Sequence, residues 1–252
     1  MELPELCDRL DEQLRVDAFA DIDASANGLQ VGPQQAEIDH VALAVDAAVA
    51  TIEEAATLNA DLLLVHHGLS WGGFERVTDR TYERIAPLID NDIALYAAHL
   101  PLDGHQQLGN AAGVADRLGL VDRAPFGSVG TERIGQRGRL QEPVPTEELA
   151  DRLTTLENER VQTLPFGPEP IERVAIVTGS GVDWIDEASN VGVDALITGE
   201  GKQQAYHEAK ESSLTVFLAG HYATETFGVR ALGSLLNRWG IETSFIDHPT
   251  GL

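Results

Sequence analysis

Five of the eight histidines in this 252-residue chain, His66, His67, His99, His105 and His221, fall at or just past the ends of short apolar runs of β type. The carboxyl ends of strands are where open α/β sheets bind ligands. The chain has one cysteine, Cys7, and 41 carboxylate side chains. A metal site in it must therefore use imidazole nitrogen and carboxylate oxygen, a donor set that suits Zn, Fe, Mn, Co or Ni without distinguishing them.

Three short segments carry the candidate ligands. His66 and His67 close the run DLLLVHHG (61–68). Adjacent side chains on an ideal strand point to opposite faces, but Gly68 next to the pair lets the backbone turn, so that both rings can reach one cavity and serve two metals. An isolated pair of this kind also reads as one core ring and one solvated ring. In His99-Leu-Pro-Leu-Asp103, Pro101 disfavours a helical predecessor, which places the segment on a loop. Asp103 is a candidate ligand, or caps a turn ahead of Gly104; His99 is a ligand or orients one. In His221-Tyr-Ala-Thr-Glu225, a helix beginning near 222–224 would turn His221 and Glu225 the same way. The two oxygens of Glu225 could bridge two metals about 3.5–4 Å apart.

The chemistry of such a set is metal-assisted hydrolysis. Two divalent cations exceed the charge of Asp103 and Glu225 by about +2, enough to hold a bridging hydroxide near neutral pH and to attract an anionic small-molecule substrate. Other residues are less specific. Glu200, in Thr198-Gly-Glu200, lines the site or acts as acid or base, or simply ends a strand. Trp71 stacks on a ring or packs on its loop. Asn27 makes a turn or reaches the site, and His105 follows the metal loop. Tyr206 and His207 read as exposed, and His40 and His248 as peripheral.

The elements that must position these groups alternate. HVALAV (40–45) is a strand, 47–59 a helix, 61–68 a strand, 80–92 a helix, 93–103 a strand running into a loop and 110–120 a helix. This is the pattern of an α/β fold with a largely parallel sheet. The plan then repeats: residues 41–68 align without a gap on 174–201, with Val41/Val174, Ile52/Ile185, Asp61/Asp194 and Gly68/Gly201 among the identities. His-x₃-acid recurs at 99–103 and 221–225. The expectation is two similar, internally duplicated α/β domains, 1–124 and 125–252, with a dimetal site in the cleft between them. A linker is expected near 121–131, and the terminal elements could interlock.

Composition bounds the partners. Lys and Arg total 17 against 41 Asp and Glu, a net charge of −24, and only Lys202 and Lys210 are lysines. Dispersed acidity with few lysines looks like the surface of a protein from a high-salt cytoplasm; the alternative is an acidic mesophilic protein. Such a charge disfavours nucleic acid and anionic membranes at ordinary salt. A single cysteine cannot form an internal disulfide, which points to a reducing cytoplasm. The acidic start MELPELCDRLDEQL does not read as a signal peptide, and no apolar run is long enough to span a membrane. Cys7 sits on the apolar face of an N-terminal helix and reads as a packing residue.

ANGLQVG (26–32), VHHGLSWGG (65–73), HLPLDGHQQLGN (99–110), ITGEG (197–201), AGHYATET (219–226) and SFIDHP (244–249), in this order, resemble the GTP cyclohydrolase 1 type 2 homologue family, also called Ngg1-interacting-factor-3-like. The resemblance covers about residues 3–249. It implies two similar α/β domains, two divalent metals and a homohexameric ring. It also implies His66, His67, Asp103, His221 and Glu225 as ligands, with Glu225 bridging. Tyr222 stands where some members have a second histidine, which bears on the pocket lining only. The family name suggests opening of a GTP imidazole ring. No GxxxxGK[ST] loop is present, so triphosphate recognition would fall to metals and arginines, and a phosphoester substrate fits as well. The alternative is a non-catalytic metal-handling or scaffold protein.

Overall fold

The computed structural model describes residues 1–33, 35–156 and 161–251. In chain order the first half contains α1 (Leu3–Leu14), β1 (Gly28–Val31), β2 (His40–Asp46), α2 (Val49–Thr57), β3 (Leu62–His67), α3 (Asp79–Asp90), β4 (Ala94–Ala97), the single turn α4 (Leu100–Asp103) and α5 (Asn110–Leu118). There follow β5 (Val121–Val129), β6 (Glu132–Val144), α6 (Thr146–Thr154), β7 (Gln162–Pro165), β8 (Ile171–Ile176), α7 (Ile185–Asn190) and β9 (Ala195–Thr198). The chain ends with α8 (Ala205–Glu211), β10 (Thr215–Leu218), α9 (His221–Arg238) and β11 (Glu242–Phe245).

Two compact units result: Met1–Leu102 with Gly228–His248, and Asp103–Phe227 with the residues from Pro249 onward. The division falls at Leu102/Asp103, not at the expected 124/125, because β5 is no linker. It is the edge strand of the second unit's sheet, antiparallel to β6. An edge position tolerates Pro125, which has no N–H to give to a neighbouring strand. The chain also returns at its end, where β11 pairs in parallel with β2.

The first unit has a five-stranded sheet in the order β1-β4-β3-β2-β11. Its strands are parallel except β1, which runs antiparallel to β4 at the edge. β3 and β4 are near-continuous apolar runs and are buried along their length, as strands covered on both faces should be. Ile52, Leu63, Val65, Leu88, Leu95 and Ile246 belong to its core. Leu3, Leu6, Leu10 and Leu14 give α1 a fully buried stripe at helical spacing. Cys7, on the same helix, is half-buried. Burial, with Asp11 and then Asp8 nearby, pushes its thiol up to about 11, so it stays protonated at neutral pH.

The second unit has a six-stranded sheet, β5-β6-β8-β9-β10-β7, with β8, β9 and β10 parallel and the others antiparallel. Its core includes Val114, Leu140, Leu149, Val174, Ile197 and Phe217.

The two β-α-β segments match in hydrogen-bond detail. Val41 is the register partner of Leu62, and Val174 that of Ala195. Asp61 Oδ2 accepts the backbone N–H groups of Asp39 and His40, both at 2.9 Å. Asp194 Oδ2 accepts those of Glu172 and Arg173, at 3.0 and 2.7 Å. Each position lies 133 residues before its counterpart (41 and 174, 62 and 195, 61 and 194). Among the described residues, no helix is long and apolar enough to cross a membrane.

Candidate metal-binding residues

In the first unit, β3 ends on His66 and His67, and the chain after β4 delivers His99. Each of the three offers a nitrogen, and these nitrogens lie within 4.8 Å of one another. The rings of His66 and His67 are 4.6 Å apart between centroids, and His99 lies 5.1 Å from the first and 5.8 Å from the second. The hydrogen bonds indicate which nitrogen each ring could offer to a metal. His66 Nδ1 meets the Ala98 carbonyl at 2.8 Å, and a carbonyl only accepts, so the proton is on Nδ1 and the lone pair on Nε2. His67 Nδ1 meets Asp46 Oδ1 at 2.8 Å, and His99 Nδ1 meets Asp23 Oδ1 at 2.9 Å. Carboxylates of this kind orient ligating imidazoles and raise their basicity.

The supporting groups come from segments far off in sequence. Asp46 is the last residue of β2, so the carboxyl ends of two adjacent parallel strands meet. Asp23 and Asn27 come from the chain between α1 and β1. Asn27 donates to Asp23 Oδ2 at 2.8 Å, and its Oδ1 accepts His99 N–H at 2.7 Å. Burial would push the Asp23 carboxyl up, but hydrogen bonds from His99, Asn27 and Ser25 outweigh it and hold the group below the usual range. Gly68 is needed for close approach: a Cβ there would fall 2.5 Å from the Gln30 amide, whose Oε1 accepts Leu69 N–H at 2.7 Å. Trp71 is half-exposed, 5.0 Å from the His99 ring, with its Nε1–H on the Gly68 carbonyl at 3.2 Å.

In the second unit, Asp103 and Glu225 are both buried, with carboxylate oxygens within 4.8 Å of each other. Pro101 does not force a loop here. Its fixed φ suits the first turn of a helix, and α4 ends on Asp103. Asn110, at the start of α5, donates to Asp103 Oδ1 at 2.9 Å, and Thr178 donates to it at 3.4 Å. α9 starts at His221, so His221 and Glu225 are one turn apart, with Nε2 to Oε2 at 3.0 Å. His221 Nδ1 faces Glu200 Oε1 at 3.2 Å. The Ser180 hydroxyl donates to Glu200. That bond, against an opposing effect of burial, and then His221 hold Glu200 below the usual carboxylate range.

Gly179 shapes this corner. It has φ +60°, and a Cβ on it would lie 2.2 Å from Glu225 Oε1 and 3.1 Å from His221 Nε2.

The remaining histidines lie elsewhere. His105 Nδ1 accepts the backbone N–H of Leu108 at 3.0 Å, which closes its own turn, and burial pushes its pKa down. His40 Nε2 is 2.9 Å from Ser244 Oγ. Tyr206 is exposed and packs edge-on against Phe166 and His207.

Sequence reasoning missed Asp46, Asp23, Asn110, Ser180 and Gly179 as site residues. For Asp46 a signal existed, an acid at the carboxyl end of the strand beside HHG. For the others only folding supplies one.

The fold is a two-sheet α/β fold with histidines and carboxylates gathered at strand ends in groups that could hold a metal ion. The family model described as Duf34/NIF3 (NGG1p interacting factor 3) matches residues 1–251, and the chain belongs to that family. A protein of Halobacterium salinarum called "GTP cyclohydrolase 1 type 2 homolog" is 54% identical, with 100% of both chains covered. One of the same description from Pyrococcus horikoshii is 42% identical, again over 100% of both. Among solved structures, "protein ybgI, unknown function" superposes with a TM-score of 0.92 at 38% identity, and TTHA1606 from Thermus thermophilus with 0.90 at 41%. Each comparison covers both chains fully.

Proposed function

We propose that this protein holds two divalent metal ions through His66, His67, Asp103, His221 and Glu225, and hydrolyses an anionic substrate, a GTP-like nucleotide or a phosphoester. One observation carries the reading. His66 and His67 have Nδ1 against a backbone carbonyl and a carboxylate, the arrangement that presents Nε2 to a metal, and His221 has Nδ1 toward Glu200 and Nε2 toward Glu225. The donor chemistry fits a cation in the second unit too, where two buried carboxylates within 4.8 Å would otherwise repel. When bound, two such cations would lower the pKa of a water towards neutrality and polarise the attacked centre.

The chain's own residues do the rest. Asp46 and Glu200 orient His67 and His221. Asn110 and Thr178 direct Asp103. Glu200, half-exposed beside His221, would be the proton acceptor. His99, held by Asp23, supports the pair beside it. The matched registers and Asp61/Asp194 bonds support an internal duplication, with one half-set of ligands from each copy. By the family resemblance the chain would assemble as a ring-shaped homohexamer. The −24 charge supports a salt-adapted protein, and the single cysteine a reducing cytoplasm.

The decisive measurement is metal content by mass spectrometry of purified protein, with anomalous scattering from crystals grown without added metal. Two metals per chain are expected, and loss of at least one in His67→Ala. A His67→Ala protein that kept both would defeat the ligand assignment. Metal-loaded protein that left GTP and a phosphoester panel unchanged at high KCl would defeat the hydrolase reading and favour metal handling.

A further inference from the structure

The second unit carries, apart from the metal donors, a groove of about 300 Å³ lined by Arg137, Arg139, Arg173, Ala124, Val191 and Val193, with Asp122 at its margin. This volume is at the lower end of small-molecule sites. Arg137 and Arg139 are two apart on β6 and so share a face of the sheet. Arg139 is the register partner of Arg173 on β8, which puts the third guanidinium on that face as well. Like charges directly opposite one another destabilise a sheet.

Two of the three are partly offset. Arg139 pairs with Asp122 at 3.1 Å and Glu172 at 3.7 Å, and Arg173 with Asp194 at 3.4 Å. Arg137 has no acidic partner among the described residues. In a chain with 41 acids against 17 bases, that is not for want of carboxylates. Most of the surface is negative, yet here three of the basic residues converge beside apolar side chains, one of which, Val191, is 37% exposed.

We infer that this groove is an anion site for a phosphorylated small molecule. Its phosphate oxygens would take the forked N–H donors of Arg137 and Arg173, a geometry guanidinium is suited to. Its apolar part would lie on Val191 and Val193. Arg139, already held by two acids, fixes the spacing of the other two. The groove shares no residue with the proposed metal ligands, so it stands or falls separately from the hydrolase reading.

The test is calorimetric titration of the full chain with inorganic pyrophosphate, in parallel with Arg137→Gln, Arg133→Gln and Asp103→Asn. Arg133 lies on the same strand, outside the groove, and removes the same charge. The expected result is saturable binding that weakens about tenfold or more in Arg137→Gln but is kept in Arg133→Gln and Asp103→Asn. Circular dichroism would verify that Arg137→Gln folds, as a residue without an acidic partner should allow. Equal weakening in Arg133→Gln and Arg137→Gln would show general electrostatics only and overturn the site. So would no saturable binding, or a change of oligomer mass in Arg137→Gln with pyrophosphate binding intact, which would make the groove a subunit contact.

Discussion

At the scale of single residues, the site is a matter of which atom carries a proton. An imidazole can ligate through either nitrogen, and a neighbouring acceptor decides which. Asp46 does this for His67 at 2.8 Å. Asp46→Asn retains the shape but removes the charge, and the expected effect is a loss of metal affinity of about 10- to 100-fold. Chelator competition would measure it, and an unchanged affinity would show that Asp46 is only a surface partner of the ring. Gly179 tests the other unit. Its positive φ, and the 2.2 Å separation a Cβ would have from Glu225 Oε1, predict that Gly179→Ala costs about 1–3 kcal/mol and displaces the Glu225 carboxylate. Urea melts and metal content should fall together, and wild-type values for both would contradict the tight fit.

At the scale of elements, parallel β-α-β segments bring strand ends together, and this is legible in the sequence. The alternation of apolar runs with helical spacing marks β2, α2, β3 and β8 to within a few residues. HHG closes β3, and the helix carrying His221 and Glu225 begins one residue before the expected 222–224. Two elements differ from expectation, both through proline. Pro101 reads as a loop residue but sits in the first turn of α4, and Pro125 reads as part of a linker but lies in an edge strand. The breaking effect of proline depends on whether its missing N–H would have had a partner, and that is a property of neighbours distant in sequence.

The Asp61 and Asp194 contacts carry an element-scale prediction. Each carboxylate ties the start of a strand by two backbone N–H groups. Asp61→Ala and Asp194→Ala should each destabilise by about 1.5–3 kcal/mol, measured by denaturant unfolding. A clear loss in one but not the other would argue against equivalent roles in the two segments.

At the scale of the whole molecule, charge is the dominant feature. With a net charge of −24, self-repulsion opposes the compact state and is reduced as salt shortens the screening length. The melting temperature is expected to rise steadily from low to molar KCl, followed by circular dichroism. A flat or falling curve would remove the salt-adapted reading. Light scattering should give six times the protomer mass if the ring inferred from the family forms. The arginine groove belongs to this scale as well: against so negative a background, three converging guanidiniums are a local reversal of field.

The residues that could ligate a metal were determined by sequence alone, because donor chemistry belongs to the side chain and strand ends can be read from local periodicity. Composition likewise set the charge and the near absence of thiols. The groups that orient those donors were decided only by the tertiary structure. Asp23 and Asn27 reach His99 from more than 70 residues away, Gly179 makes room for Glu225, and Arg173 comes to face Arg139 across a strand pair. Orientation depends on distances of a few tenths of an ångström between segments that only the folded chain brings into contact, and no spacing along the sequence encodes them.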